Sequence, residues 1–171
     1  MFIITNHSFM LYKFRKELIR ELLKKHQITL VMPANEFTQE FQEIGCKIID
    51  IDVDRRGINP IIDYKLYKKY KNLIEKNRPD MILTYSIKPN IYAGIAAKKL
   101  GVQYCSNITG LGTAFQKPFL AQFVTVLYKI AFSKVKTVFF ENESNMNLFL
   151  EKKLIKKHQA CLLDGAGVNL N

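Results

Sequence analysis

Short apolar runs and amphipathic stretches alternate along this chain without a break. Strands are predicted at Phe2–Thr5 (FIIT), Ile28–Met32 (ITLVM), Lys47–Ile51 (KIIDI), Met81–Tyr85 (MILTY), Tyr104–Ser106, Thr137–Phe140 (TVFF) and Ala160–Leu163. All are short and bounded by polar or turn residues. Between them the apolar positions change to helical spacing: Phe14, Leu18, Leu22 and Leu23 within Tyr12–Lys25, and Leu66, Tyr70, Leu73 and Ile74 within Ile61–Lys76. Further helices are predicted over Glu36–Ile44, Asn90–Leu100, Pro118–Ser133 and Glu143–Glu151. In the fourth of these six, Asn90–Leu100, the small residues Ala93, Gly94, Ala96 and Ala97 permit close packing on a sheet. Strands that alternate with helices imply βαβ crossovers, hence an α/β domain with a doubly wound, mostly parallel, Rossmann-like sheet. Residues 1–165 fit one such domain, and 166–171 read as the start of a connection onward.

In a doubly wound sheet whose first three strands run one way and whose fourth starts the other half, ligands enter at the carboxyl ends of strands one and four. That places the loops Asn6–Leu11, Ser86–Pro89 and Asn107–Lys117 around the crevice. The candidate binding residues are Asn6, His7 and Ser8; Ser86, Lys88 and Asn90; and Thr109, Gly110 and Gly112. His7 is the one histidine at a predicted strand end; it is either a base or hydrogen-bonding group or a structural residue. In SIKPNIYAG, Pro89 suits a first helical turn and Asn90 is placed to cap it. A helix start there would offer N–H groups to an anion or hydroxyl, with Lys88 adding a charge; a well-made helix start is the alternative. Glycines in NITGLGTAF allow positive φ and close approach of a ligand, or simply a tight loop. Glu141 and Glu143 follow the sixth strand, facing the same edge as the crevice; complementing the next helix's dipole is the alternative reading. No complete catalytic set emerges.

Composition narrows the classes. The 171 residues carry 26 basic and 15 acidic side chains, a net charge of +11, so an anionic partner is favoured. Much of the excess lies in the helices, where solvated lysine faces are the alternative reading. Three scattered cysteines, Cys46, Cys105 and Cys161, suggest neither a disulfide framework nor a zinc site, and no metal is expected. Lys13, Arg15 and Lys16 interrupt any secretory h-region, so a reducing cytoplasm is expected. The uncharged stretch Pro118–Tyr128 is too short to span a bilayer. Phe119, Phe123, Leu127 and Ile130 form one stripe of that helix, and Leu120, Val124 and Val126 leave the other side apolar too. Such a helix is buried or pressed against something outside the domain, a lipid surface included. No G-x-G-x-x-G, Walker A, HExxH, CxxC or G-x-S-x-G is present, which excludes dinucleotide, P-loop and α/β-hydrolase chemistry.

The ordered motifs FMLYKFR, DRRGINPIIDYK, LTYSIKPNIYAGIAAKKLGV, NITGLGTAF, VFFENE and LLDGAGVNL resemble the N-terminal half of a family 4 glycosyltransferase of the bacterial capsule, exopolysaccharide and lipid-linked oligosaccharide type. The resemblance implies a GT-B fold, two Rossmann-like domains facing across a cleft, of which this chain is the acceptor side. It implies a nucleotide-sugar donor, a polyprenyl-diphosphate-linked acceptor, no cofactor, no nucleic acid, and an anionic membrane surface at the inner face of the cytoplasmic membrane. Asn6, His7 and Ser8 would lie near the reacting hydroxyl, Ser86, Lys88 and Asn90 at acceptor or donor, Thr109, Gly110 and Gly112 on the cleft floor, and Arg55 and Arg56 against acceptor phosphate. The family's E-x7-E motif belongs to the C-terminal domain, which is absent here. Thr109 stands where many members carry a histidine. A non-catalytic membrane-recruiting subunit of a two-chain enzyme and a Rossmann-like nucleotide-binding module are the alternatives.

Overall fold

All seven expected strands form in the computed structural model, which describes residues 1–55, 57, 59–112 and 118–165. They are β1 (Phe2–Ile4), β2 (Thr29–Met32), β3 (Lys47–Asp50), β4 (Met81–Tyr85), β5 (Gln103–Ile108), β6 (Thr137–Phe140) and β7 (Ala160–Leu162). The α-helices are α1 (Ser8–Leu23), α2 (Thr38–Glu43), α3 (Pro60–Asn77), α4 (Gly94–Leu100), α5 (Pro118–Phe132) and α6 (Glu143–Glu151). A π-helical turn, Pro89–Ala93, leads into α4. The connection expected at 166–171 lies outside the described residues.

One parallel sheet runs β3-β2-β1-β4-β5-β6-β7, so β1 and β4 are neighbours and the winding reverses between them, as the sequence predicts. Strand alternation divides the apolar side chains between two cores. Phe2, Ile4, Ile82, Tyr104 and Phe140 face one side, where α3, α5 and α6 add Tyr70, Tyr128 and Phe149. Ile3, Leu30, Leu83 and Tyr85 face the other, under Leu11 and Ile19 of α1 and Phe41 of α2. Register explains a polar pair in the first core: Thr84 lies opposite Ser106, and their hydroxyls hydrogen-bond at 2.7 Å.

Three expectations change. The fifth strand extends to Ile108, because Asn107 continues the ladder between Tyr85 and Phe139. Helix α1 starts at Ser8 rather than Tyr12, leaving only Asn6 and His7 of the expected loop. Its buried residues are Ser8, Leu11, Arg15 and Ile19, a stripe that needs helical backbone from Ser8 onward. The expected stripe is therefore not the buried one: Phe14 and Leu18 are each 42% exposed.

Tyr70 of α3 is fully buried, and its hydroxyl has no hydrogen-bond partner among the described residues. An unpaired buried hydroxyl costs more than it returns. Tyr70→Phe should therefore stabilise the fold by about 1 kcal/mol, read as a rise in denaturant midpoint at constant slope. A lower midpoint would show the hydroxyl to be paired.

Candidate functional site

The crevice begins where β1 ends. Thr5 is fully buried, and its Oγ1 accepts the His7 backbone N–H at 3.2 Å, holding the chain extended before α1. Asn6 and His7 are half-buried, whereas Ser8 is buried within the first helical turn. Partial burial, and then the Arg55 guanidinium, lower the His7 pKa from its ordinary 6.5. Two candidates from separate loops thus share one electrostatic environment. Arg56 lies outside the described residues. Because folded His7 binds its proton less tightly than the unfolded chain does, stability rises with pH just below 6.5 and is complete above it. Arg55→Ala should move the His7 midpoint upward in a proton NMR titration; an unchanged midpoint would leave burial as the sole cause.

At the end of β4, Ser86 takes φ 72°, a left-handed conformation that is strained for a residue with a Cβ. This sharp turn sends the chain directly into helix, and the Asn90 N–H donates to the Ser86 carbonyl at 2.9 Å. Asn90 is not a cap. Its side chain is buried, and Nδ2 donates to the Asn107 carbonyl at 3.0 Å, joining the π-turn to β5. Nor does Lys88 present a free charge to the crevice. Its Nζ donates to Asp63 Oδ1 at 2.6 Å, with both side chains nearly buried, and Tyr92 donates its hydroxyl to Asp63 Oδ2 at 3.0 Å. Burial and the Asp63 carboxylate push the Tyr92 phenol pKa up.

Beyond β5, Thr109, Gly110 and Gly112 are exposed. Gly112 has φ +61°, the positive value expected of this loop, and a Cβ there would meet Ile87 Cδ1 at 3.0 Å. Gly110 needs no such freedom. Thr109 borders a cavity of about 150 Å³ with Met10, Phe14, Arg15 and Glu141. Arg15 Nη2 donates to Glu141 Oε1 from a side chain only 5% exposed. Its guanidinium also lies 5.6 Å from the centre of the Tyr85 ring. Asn107 Nδ2 reaches the same carboxylate oxygen at 3.5 Å, and its buried Oδ1 has no hydrogen-bond partner among the described residues. So Glu141 is anchored to α1 instead of merely facing the α6 dipole, a role left to Glu143 in the first turn of α6.

Arg15 and Asp63 are the residues that sequence reasoning missed. Each sits in an otherwise apolar buried stripe, Arg15 with Leu11 and Ile19, Asp63 with Leu66, Tyr70 and Ile74. A charge in such a stripe demands an opposite charge from another element, and that signal was available.

Two apolar surfaces remain open. Helix α5 buries Val124, Tyr128, Ala131 and Phe132, but Phe119, Phe123, Val126 and Ile130 are 91%, 49%, 52% and 44% exposed. Val126, expected opposite that stripe, belongs to it, while Leu127 is half-buried. On the other face, α1 and the β4–β6 half of the sheet bound a groove of about 870 Å³, lined by Phe14, Leu18, Leu22, Leu83, Cys105 and Phe139. Parallel sheets are normally covered on both faces; here no described helix covers this half. Among the described residues no helix is long and apolar enough to cross a membrane, and no group of three His, Cys, Asp or Glu residues could hold a metal ion.

Comparison with known proteins follows the same lines. The family described as glycosyl transferase 4-like matches residues 2–142. The chain is 28% identical over 167 residues to N,N'-diacetylbacillosaminyl-diphospho-undecaprenol alpha-1,3-N-acetylgalactosaminyltransferase of Campylobacter jejuni, covering 94% of this chain and 44% of that protein. Among solved structures, MurG of Acinetobacter baumannii superposes with a TM-score of 0.63 at 11% identity, over 99% of this chain and 46% of that one. The UDP-N-acetylglucosamine 2-epimerase of Rickettsia bellii gives 0.68 at 15% identity, over 96% and 44%. These structural likenesses show a shared fold, and the chain spans less than half the length of each of these proteins.

Proposed function

This chain belongs to the glycosyl transferase 4-like family, with the Rossmann-like fold of one GT-B half, and from that premise we propose that it is the acceptor-side half of a glycosyltransferase. The whole enzyme would move a sugar from a nucleotide-sugar, a UDP-hexosamine or UDP-hexose, to a polyprenyl-diphosphate-linked glycan. It would work at the inner face of the cytoplasmic membrane, without metal or cofactor of its own. The observation that carries this reading is the likeness to the Campylobacter enzyme, whose name specifies an undecaprenyl-diphosphate-linked acceptor. The geometry supports it. Asn6, His7 and Ser86 follow β1 and β4, between which the sheet's winding reverses, and Arg55 of the β3–α3 loop lies close enough to His7 to lower its pKa. The exposed α5 stripe, with Lys129 and Lys134 beside it, offers an apolar and basic surface to anionic lipid.

The test is transfer from UDP-N-acetylhexosamine to a polyprenyl-diphosphate sugar by this chain alone and with the remaining half of the Campylobacter relative supplied. Activity only in the second case is expected. Silence in both, with folded proteins and several donors, would count against the reading.

The open sheet face is a place for that other half to make contact. Its volume equals about two turns of a helix roughly 10 Å across. Maleimide should label Cys105, half-buried on the groove floor, in the isolated chain and at least about tenfold more slowly once the other half is present. Cys46, buried in the second core, should stay protected in both states. Equal labelling of Cys105 throughout would leave the groove uncovered.

A further inference from the structure

The edge of the sheet opposite the crevice carries charge of one sign. In a parallel sheet every strand enters at that edge, so the connections leading into β5, β6 and β7 lie side by side there. A strand spacing of about 4.8 Å puts the three entries within about 10 Å. Lys98 and Lys99 close α4 ahead of β5; Lys134 and Lys136 join α5 to β6; Lys152, Lys153, Lys156 and Lys157 join α6 to β7. Seven of these are exposed and Lys98 is half-buried. Glu151 is the one carboxylate on the three connections, and Asp80 ahead of β4 is the next along the edge. From residue 81 to 140 the chain holds no Asp or Glu at all.

On α1 and α3 lysines are matched within the chain, Lys16 by Glu40, Lys24 by Glu21 and Lys71 by Glu75. None of the lysines at this pole is ion-paired among the described residues. Helix dipoles account for part of the cluster, since Lys98, Lys99 and Lys152 stand at helix C-termini. That benefit fades beyond the last turn, and like charges at this density oppose the compact state. An anionic partner would relieve the repulsion. What lies among the lysines selects it. The three connections hold no arginine, and none of the large apolar or aromatic side chains exposed on the protein falls on them. Nucleic-acid bases are held by stacking on aromatic rings, phosphates by the arginine fork, and lipid surfaces by apolar contact added to charge. Ammonium groups on flexible stems suit carboxylates, one point charge to another.

We propose that this pole docks an acidic segment of a partner protein, a run of Asp and Glu side chains laid across the entries of β5, β6 and β7. The inference goes beyond the acceptor-side reading and stands without it, because the crevice lies at the other end of the strands.

The full chain is titrated by fluorescence anisotropy with a labelled peptide of about ten glutamates, long enough to span the patch at about 3.4 Å per residue. A uridine oligomer of the same length and phosphatidylglycerol vesicles are the competing ligands. The peptide should bind, and raising salt from about 0.1 to 1 M should abolish binding, because the screening length shortens from about 10 to 3 Å. Amide shifts that the peptide causes in the parent chain should cluster at Gly101, Lys136 and Lys153, a readout that needs no variant. Lys99→Glu/Lys152→Glu/Lys157→Glu should weaken binding at least about tenfold, the loss of three exposed ion pairs. Lys13→Glu/Lys65→Glu/Lys68→Glu, in the crevice-side halves of α1 and α3, lowers the net charge equally and should change affinity by less than about twofold. No peptide binding, equal loss in the two variants, or amide shifts centred elsewhere overturns the proposal. Tighter binding of the uridine oligomer or of the vesicles, lost in the same pole variant, overturns it in favour of nucleic acid or lipid.

Discussion

Lys88→Met is expected to destabilise this chain by about 3 kcal/mol, a loss that most substitutions in a crevice loop would not approach. Breaking a buried ion pair from one side leaves the other charge uncompensated, at about 3–5 kcal/mol. The side chains of Lys88 and Asp63 are still 12% and 9% exposed, so the lower end applies. Asp63→Leu should cost at least as much, because it also strips the Tyr92 hydroxyl of its acceptor. The double variant Asp63→Leu/Lys88→Met should recover much of the loss, since an apolar pair of similar volume is often neutral. Urea denaturation of the four proteins gives the coupling as a double-mutant cycle. A Lys88→Met midpoint equal to the parent's would refute this account and return Lys88 to the role of a free cation awaiting an anionic ligand.

That contrast shows what the chain discloses and what it hides. Strand order and crevice position were readable because they rest on local features: seven short apolar runs, helices between them, and a rule about where doubly wound sheets reverse. The partners of Lys88 and Arg15 were not readable, because each is set by packing between elements far apart in sequence, Asp63 in α3 and Glu141 after β6. Asn90 shows the same limit. Next to Pro89 it looks like a cap, but the left-handed turn at Ser86 starts the helix earlier and carries Asn90 inward to β5. The buried stripe of α1 differs from the expected one for another reason. That helix is apolar on two faces, Leu11 and Ile19 toward the sheet and Phe14, Leu18 and Leu22 toward the open groove. Periodicity finds an apolar face; it does not say whether the partner lies within the same chain.

Helix α5 poses that question most sharply, and its exposed face should govern membrane binding. Phe119, Phe123, Val126 and Ile130 recur at intervals of four, three and four residues, one stripe of a helix lying in a plane. Full burial of a phenylalanine contributes about 2–3 kcal/mol. Phe119 is almost wholly exposed and Phe123 half so, which leaves about 3 kcal/mol between them for transfer into lipid. Phe119→Ser/Phe123→Ser should therefore weaken binding to phosphatidylglycerol-containing vesicles about a hundredfold, with the unfolding midpoint nearly unchanged because neither ring belongs to the core. Lys129→Glu/Lys134→Glu should act differently. It should lower affinity for anionic vesicles about tenfold or more, at roughly 1 kcal/mol per cation near the surface, and leave neutral vesicles unaffected. Salt should weaken parent binding in the same selective way, since added ions screen charge but not apolar contact. Sedimentation with vesicles of the two compositions separates these contributions. If the double serine variant still sediments with anionic lipid as the parent does, the α5 stripe is free for a protein partner, and membrane contact must come from the lysines of α1 and α3.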